Sequence, residues 1–233
     1  MCYEAIPCPD CSSLNIVKNG KTAQQKQRYL CQDCRRQFIR DYTCLGCIGA
    51  WRALIVPMTL NGSGMRDSSR VLWLSPYTVL KTLREAAAQV AEPVVPGRVH
   101  ALELDEFWSF VRRKKKQQRW TWYGFARARR QVLAFINDRR TNAACQKLLK
   151  KLDGCQVSRY YSDDWQSYKK CLPAKQHRVG KDGTQHIERH NLNFRMHIKR
   201  LQRRTICYAK SPAMHDAVIK LYVLHSNAGH HHL

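Results

Sequence analysis

The chain has 233 residues and carries 41 Lys and Arg against 17 Asp and Glu, a formal net charge of +24. That length leaves room for more than one domain, and a basic excess spread from end to end points to a polyanionic partner, nucleic acid first among them. No long apolar run or amphipathic anchor stands out, which argues against a membrane-spanning or membrane-surface protein.

Met1-Cys2-Tyr3-Glu4-Ala5 has neither the basic start nor the apolar core of a signal peptide, so the eleven cysteines are expected to be cytosolic thiols or metal ligands. Cys8-Pro9-Asp10-Cys11 and Cys31-Gln32-Asp33-Cys34 are two Cys-x-x-Cys pairs at zinc-ribbon spacing. Four thiolates complete a tetrahedral Zn²⁺ site with no open position, so the metal is expected to be structural. Asn19-Gly20 is read as the hairpin turn between the pairs and Gln27–Leu30 as the strand entering the second. Cys44 and Cys47 form a third pair that could compete with Cys31 and Cys34, and Arg35, Arg36 and Arg40 make the flank basic. This segment is assigned to residues 1–43.

Residues 48–90 read as short helices. An apolar run from Trp51 to Leu60 is interrupted by Pro57 and broken by Asn61-Gly62-Ser63-Gly64, a short helix follows from Met65, and Ser75 with Pro76 opens another. Val79, Leu80 and Leu83 make its apolar stripe. Tyr77, Thr78, Lys81 and Thr82 are left to face a DNA groove if the segment is a helix-turn-helix. A small helical core with no DNA role has the same appearance. Glu92-Pro93-Val94-Val95-Pro96-Gly97 is a stiff linker, assigned to 91–98.

From Ala101 the chain alternates apolar and polar residues as a half-buried strand, ending in the paired carboxylates Asp105 and Glu106. Arg112-Arg113-Lys114-Lys115-Lys116 is too charged to pack and suits a clamp on a DNA backbone. Trp120–Phe125 and Val132–Ile136 read as strands of an antiparallel meander. A helix over 142–152, capped by Thr141, leads to a strand over 157–161 that delivers Asp163. Strand, helix and strand imply a parallel crossover, and sites in such sheets gather at strand carboxyl ends, where Asp105 and Asp163 are expected. Thr184 opens a long helix with Ile187, His190 or Asn191, Phe194, Ile198 and Leu201 facing the core. Glu188 lies at its edge, and Arg189, Arg195, Lys199, Arg200, Arg203 and Arg204 lie outside. Three acids on separate elements could share a divalent ion, since Mg²⁺ needs only one or two carboxylates beside phosphate oxygens.

The ordered cysteine pairs, the Leu104-Asp105-Glu106 step, Gln118-Arg119-Trp120, the block Ser162-Asp163-Asp164-Trp165-Gln166-Ser167-Tyr168 and the run Gln185–Asn193 resemble transposases of the insertion-sequence-one family, a branch of the DDE transposases. The resemblance covers nearly the whole chain. It implies an α/β fold with a ribonuclease H-like mixed-sheet catalytic domain over 99–226, preceded by a zinc ribbon and a helix-turn-helix and followed by a tail over 227–233. It places the acidic triad at Asp105, Asp163 and Glu188, with Asp105 preferred to Glu106 and Asp163 to Asp164. It further implies two Mg²⁺ ions (or Mn²⁺) at that triad, and cleavage and transfer of DNA strands at the terminal inverted repeats of an insertion element. A homo-oligomer on DNA and a cytoplasmic, nucleoid-associated setting are expected with it. Arg112, Arg113, Arg195 and Lys199 join Tyr77, Thr78 and Lys81 as expected DNA contacts. Trp73 stands where the family usually has glycine between two helices, and Cys44-Leu45-Gly46-Cys47 is not a family feature. The rival readings are an inactive repressor of the same element and a nuclease indifferent to element ends.

Overall fold

The computed structural model describes residues 5–113 and 116–229. Lys114 and Lys115 of the basic run, and residues 230–233 of the tail, lie outside the described residues. The chain forms two compact units, Met1–Arg52 and Ala53–Leu233.

The first unit is a three-stranded antiparallel sheet of β1 (Ile16–Lys21), β2 (Gln27–Cys31) and β3 (Gln37–Ile39). The hairpin turn lies beyond Asn19-Gly20. The Thr22 amide donates to the Lys26 carbonyl at 2.8 Å, so the chain reverses over 22–26. Gly20, at φ +68°, instead sits inside β1 where the register shifts between Lys18 and Lys21, the left-handed conformation that a bulge assigns to glycine. The unit ends in α1 (Gly49–Ala53), within which the division between the units falls.

The second unit opens with α2 (Ile55–Leu60), α3 (Met65–Val71) and α4 (Pro76–Gln89). The expected helix over 51–60 is split at Leu54, because Pro57 has no N–H to bond the carbonyl four residues back. Ser75 caps α4, its hydroxyl accepting from the Thr78 amide at 3.0 Å, and Val79, Leu83 and Ala87 are buried. α4 packs against the last helix of the unit, so the linker over 91–98 does not separate two compact bodies. Glu92 within it forms ion pairs with Lys151 at 2.9 Å and with Lys220 at 3.7 Å.

Between α3 and α4 the chain turns through Trp73 at φ +53°, 84% exposed. The Leu74 amide reaches the Ser69 carbonyl and the Trp73 amide that of Arg70, the bonding of a helix end that ordinarily has glycine in the left-handed position. A side chain there costs about 1 kcal/mol. Trp73→Gly is therefore expected to raise the stability of this unit by about that amount, read as a higher midpoint in urea with an unchanged slope.

A five-stranded mixed sheet follows, in the order β6-β5-β4-β7-β8. β4 (Arg98–Phe110), β5 (Gln118–Ala126) and β6 (Gln131–Asp138) form an antiparallel meander. α5 (Asn142–Lys151), capped by Thr141, crosses to β7 (Gln156–Ser162), which runs parallel to β4. α6 (Gln166–Cys171) leads to β8 (His177–Val179), parallel to β7. One sheet face carries Leu102, Leu104 and Trp122 against Ala144, Cys145 and Leu148 of α5 and Tyr168 of α6. The other packs Phe107 and Tyr123 against Phe194 of α7 (Gln185–His197), which in turn meets Tyr222 of α8 (Pro212–Asn227).

Three expectations change here. β4 does not end at Asp105–Glu106 but runs on to Phe110, because β5 pairs with it over its whole outer half, from Leu102 to Phe110. Asp105 therefore lies within a strand, just past the Val99–Glu103 stretch where β7 pairs, while Asp163 does follow the end of β7. The long helix opened by Thr184 stops at His197, where Ile198 turns extended, and Arg200, expected outside, is buried with its guanidinium on the Met214 carbonyl at 3.2 Å. The segment after it is a sixteen-residue helix, α8, with Pro212 at its first turn and Val218, Ile219, Tyr222 and Val223 buried. His215 meets Ser109 Oγ at 2.6 Å and Asp216 accepts Arg119 Nε at 2.8 Å, which fastens α8 to β4 and β5. Among the described residues no helix is long and apolar enough to cross a membrane.

Candidate metal centre and acidic pocket

In the first unit the two Cys-x-x-Cys turns meet. The Sγ atoms of Cys8, Cys11, Cys31 and Cys34 all lie within 4.8 Å of one another, with Cys8–Cys34 at 3.5 Å and Cys11–Cys31 at 3.6 Å. A zinc ion bonded to sulfur at about 2.3 Å spaces its ligands about 3.8 Å apart, so the quartet fits a structural Zn²⁺. The Cys31 thiol is lowered to about 7, first by the backbone N–H of Cys34 and, against burial, by that of Asp33, which favours the thiolate a metal needs. Cys44 and Cys47 are exposed and stand outside the quartet. Arg36 pairs with Asp10 at 3.2 Å, so part of the basic flank is already neutralised.

In the second unit the strand period sends the two neighbouring acids to opposite faces. Glu106 turns toward α5 and α6. There Tyr168 donates to it at 2.6 Å and Arg140 Nε at 2.8 Å, and the Arg140 guanidinium lies 4.7 Å from the Trp120 ring and 4.2 Å from that of Trp165. Asp105 turns toward α7, where Asn191 Nδ2 donates to its Oδ2 at 2.6 Å. Asn191 Oδ1 in turn lies 2.8 Å from the buried Tyr123 hydroxyl. Burial pushes the Asp105 carboxyl up to about 7, the Glu106 and Asp163 charges add to the shift, and the Glu106 amide and Asn191 oppose it.

Asp163 is exposed, and its Oδ1 accepts the Trp165 amide at 3.1 Å. Its neighbour Asp164 is occupied by Lys169 at 2.6 Å. Glu188, in the first turn of α7, is exposed and accepts the Thr184 hydroxyl at 3.0 Å. It lines a cavity of about 400 Å³ together with Glu106, Phe107, Trp108, Trp120, Asn191 and Arg195. Arg195 lies over the Phe107 ring at 5.9 Å and is lowered by burial and by Arg203, with Asp105 working the other way. Among the described residues the cysteine quartet is the only group of three or more such ligands drawn within 4.8 Å; of the three acids Glu188 lines the pocket, Asp105 meets its wall through Asn191, and Asp163 is not among its lining residues. The pocket thus offers the carboxylates of Glu106 and Glu188, with the buried Asp105 bonded to its lining residue Asn191, together with guanidinium groups and an aromatic wall.

The other expected contacts are scattered over the second unit. Tyr77 and Lys81 are exposed on α4, with Lys81 3.7 Å from Glu85, while the Thr78 hydroxyl is held by the Ser75 cap at 2.9 Å. Arg112 does not stand free as a clamp, because its Nε donates to the Lys210 carbonyl at 2.8 Å. Arg113 is exposed, and Lys199 is half-buried in a short turn after α7.

Glu103 was not singled out by sequence. Two residues before Asp105, it shares that face of β4 and is fully buried. Its Oε1 accepts Arg127 at 2.8 Å and faces His186 at 3.0 Å, and its Oε2 accepts the Ile187 amide at 2.8 Å. It therefore pins the start of α7, one residue before Glu188. The period-two alternation that puts Asp105 on this face puts Glu103 there too, but no motif singles it out. Glu103→Gln, which removes the charge facing Arg127, is expected to destabilise the unit by about 3 kcal/mol, read from urea unfolding.

The raised Asp105 carboxyl has a pH consequence. Its ordinary value is 3.8 and its native value about 7. Between the two the native state binds more protons than the unfolded one, so this group takes stability away as pH rises through that window. Asp105→Asn in metal-free protein is expected to melt at the same temperature as the parent near pH 4 and about 5 °C higher at pH 8, as calorimetry would record.

Residues 99–228 match the family model described as IS1 transposase, and residues 1–35 match that of the InsA N-terminal domain. The insertion element iso-IS1n protein InsB of Shigella dysenteriae is 43% identical over 121 residues, 52% of this chain and 92% of its own length. The insertion element IS1 protein InsB of Shigella flexneri is 41% identical over the same shares. The insertion element IS1 9 protein InsB of Escherichia coli K12 is 37% identical over 149 residues, 63% of this chain and 87% of its own. With a family match over more than half its length and relatives covered almost end to end, the chain belongs to the IS1 transposase family.

Proposed function

We propose that the chain is a transposase whose second unit is a ribonuclease H-like domain that cuts and joins DNA strands with Asp105, Asp163 and Glu188 holding divalent Mg²⁺ or Mn²⁺. The observation that carries the reading is the buried Asp105 carboxyl, forced upward by burial and neighbouring acids beside a pocket that Glu188 lines. A divalent cation relieves that pressure, and Mg²⁺, which keeps several waters, does not need all three carboxylates in one tight cluster. When bound, the metal would supply an activated oxygen nucleophile and stabilise the leaving 3′-oxygen of an in-line displacement.

The chain's own groups do the rest. Asn191 orients Asp105, and Thr184 orients Glu188. Arg195 and Arg203 face the charge that gathers on the attacked phosphate. Trp108 and Trp120 offer flat surfaces for bases next to the cut. The zinc ribbon and the α3–α4 pair, read as a helix-turn-helix with Tyr77 and Lys81 outward, would recognise the element ends. Two ends would be joined by two copies of the chain.

The test is a Mg²⁺-dependent assay on duplexes carrying the ends of the parent element. Cleavage leaving 3′-hydroxyls, followed by joining to a second duplex, is the expected result; no cleavage with or without Mg²⁺ would overturn it. The rival reading is a repressor that binds the ends without cutting. The same assay distinguishes it, by binding without product.

A further inference from the structure

α7 has a second cleft on its other flank. Glu188, Asn191, Leu192 and Arg195 line the acidic pocket, whereas Gln185, Arg189 and Asn193, displaced around the helix, line a cavity of about 620 Å³ closed on its far side by Arg129 and Arg130. The two cavities share no lining residue. We propose that this second cleft is a binding site for the phosphate backbone of a second DNA segment, separate from the strand at the acids. The inference rests on the DNA reading above and deepens it.

Three observations carry it. First, no Asp or Glu lines the cleft, and among the described residues no carboxylate pairs with Arg129, Arg130 or Arg189. The nearby acid, Glu103, is already occupied by Arg127 and the Ile187 amide. Second, the guanidinium groups come from two fixed supports. Arg129 and Arg130 sit on the β5–β6 turn, where the Arg130 amide bonds the Arg127 carbonyl at 3.3 Å, and Arg189 sits on the second turn of α7. Third, like charges gathered in a walled cleft repel one another and focus a positive field, which a polyanion relieves. The planar guanidinium fork suits phosphate oxygens, and groups on two elements match a repeating backbone better than one small anion. Strand transfer requires two DNA segments at one catalytic unit, and α7 would be the partition between them.

The test compares Arg129→Gln/Arg130→Gln/Arg189→Gln with a control that removes the same charge from the exposed Lys150, Arg159 and Lys175. DNA affinity is measured by fluorescence anisotropy against salt, on an element-end duplex and on an unrelated duplex, in the full chain. The cleft variant is expected to lose affinity by about tenfold to a hundredfold and to flatten the log–log salt slope by about 2 to 3, with the control changing much less. Loss of joining with end cleavage retained is the expected result, and loss of both would place the element end itself in the cleft and overturn the assignment to a second segment. A slope equal to the parent's, or a loss matched by the control, overturns the proposal while leaving the acidic-pocket reading intact if cleavage persists. A parent chain that binds neither duplex overturns both. Should the triple variant lose its melting transition, Arg189→Gln alone is read the same way, with an expected slope change of about 1.

Discussion

Glu188→Gln is expected to reduce Mg²⁺-dependent strand cleavage on the order of a thousandfold or more while leaving DNA affinity within about a factor of two of the parent. The size follows from what a metal-held displacement requires. Stabilisation of charge by a bound cation is worth several kcal/mol, and each 1.36 kcal/mol is about tenfold in rate. Glutamine keeps the shape and one acceptor oxygen but not the charge that retains the ion. The fold should not register the change, because Glu188 is exposed and bonded to the Thr184 hydroxyl, which glutamine can still accept. Melting temperature and the salt slope of DNA binding are therefore the controls. Unchanged cleavage would remove Glu188 from the site and leave Asp105 and Asp163 without their third member.

The second large effect belongs to the first unit. Cys31→Ser, or treatment of the parent with a strong chelator, is expected to abolish the three-stranded sheet of residues 16–39 and release about one zinc per chain. The reason is size. The sheet contributes few buried apolar side chains, among them Phe38, and the buried Cys8 and Cys31 are the quartet itself. A body this small has too little core to repay the entropy of ordering its chain, so the metal bonds must supply the difference. Elemental analysis and the amide spectrum of residues 5–52 would record it. The second unit should keep its melting transition, and a parent preparation that folds with no zinc would overturn the assignment.

Several features were legible from residues alone because they depend on local geometry. Two Cys-x-x-Cys turns at ribbon spacing announce a metal site whatever surrounds them, and the quartet is drawn together. Ser75-Pro76 and Thr141 mark helix starts because capping is settled within one turn, and both caps form. The meander and the parallel crossover were readable from strand alternation and from the helix between β6 and β7. Met214, Val218, Ile219 and Tyr222 of α8 repeat at helical spacing, but no motif draws attention to that segment, and the tail expected from 227 begins at the last residue of the helix. β8 is three residues long and has no pattern of its own; it exists because β7 offers an edge.

What the sequence by itself determined is therefore the set of chemical groups and their local order: four thiols in two tight turns, a strongly cationic surface, acids at 105, 163 and 188, and a family likeness. Tertiary structure alone decided how those groups are used. It sent Asp105 toward α7 and Glu106 into an ion pair with Arg140, placed Glu103 under the start of the helix that carries Glu188, and set α7 between a cleft that holds Glu188 and one lined by arginines without an acid. The physical reason is that charge and hydrogen-bonding capacity belong to a side chain, whereas burial, partner and field depend on which distant segments pack against it.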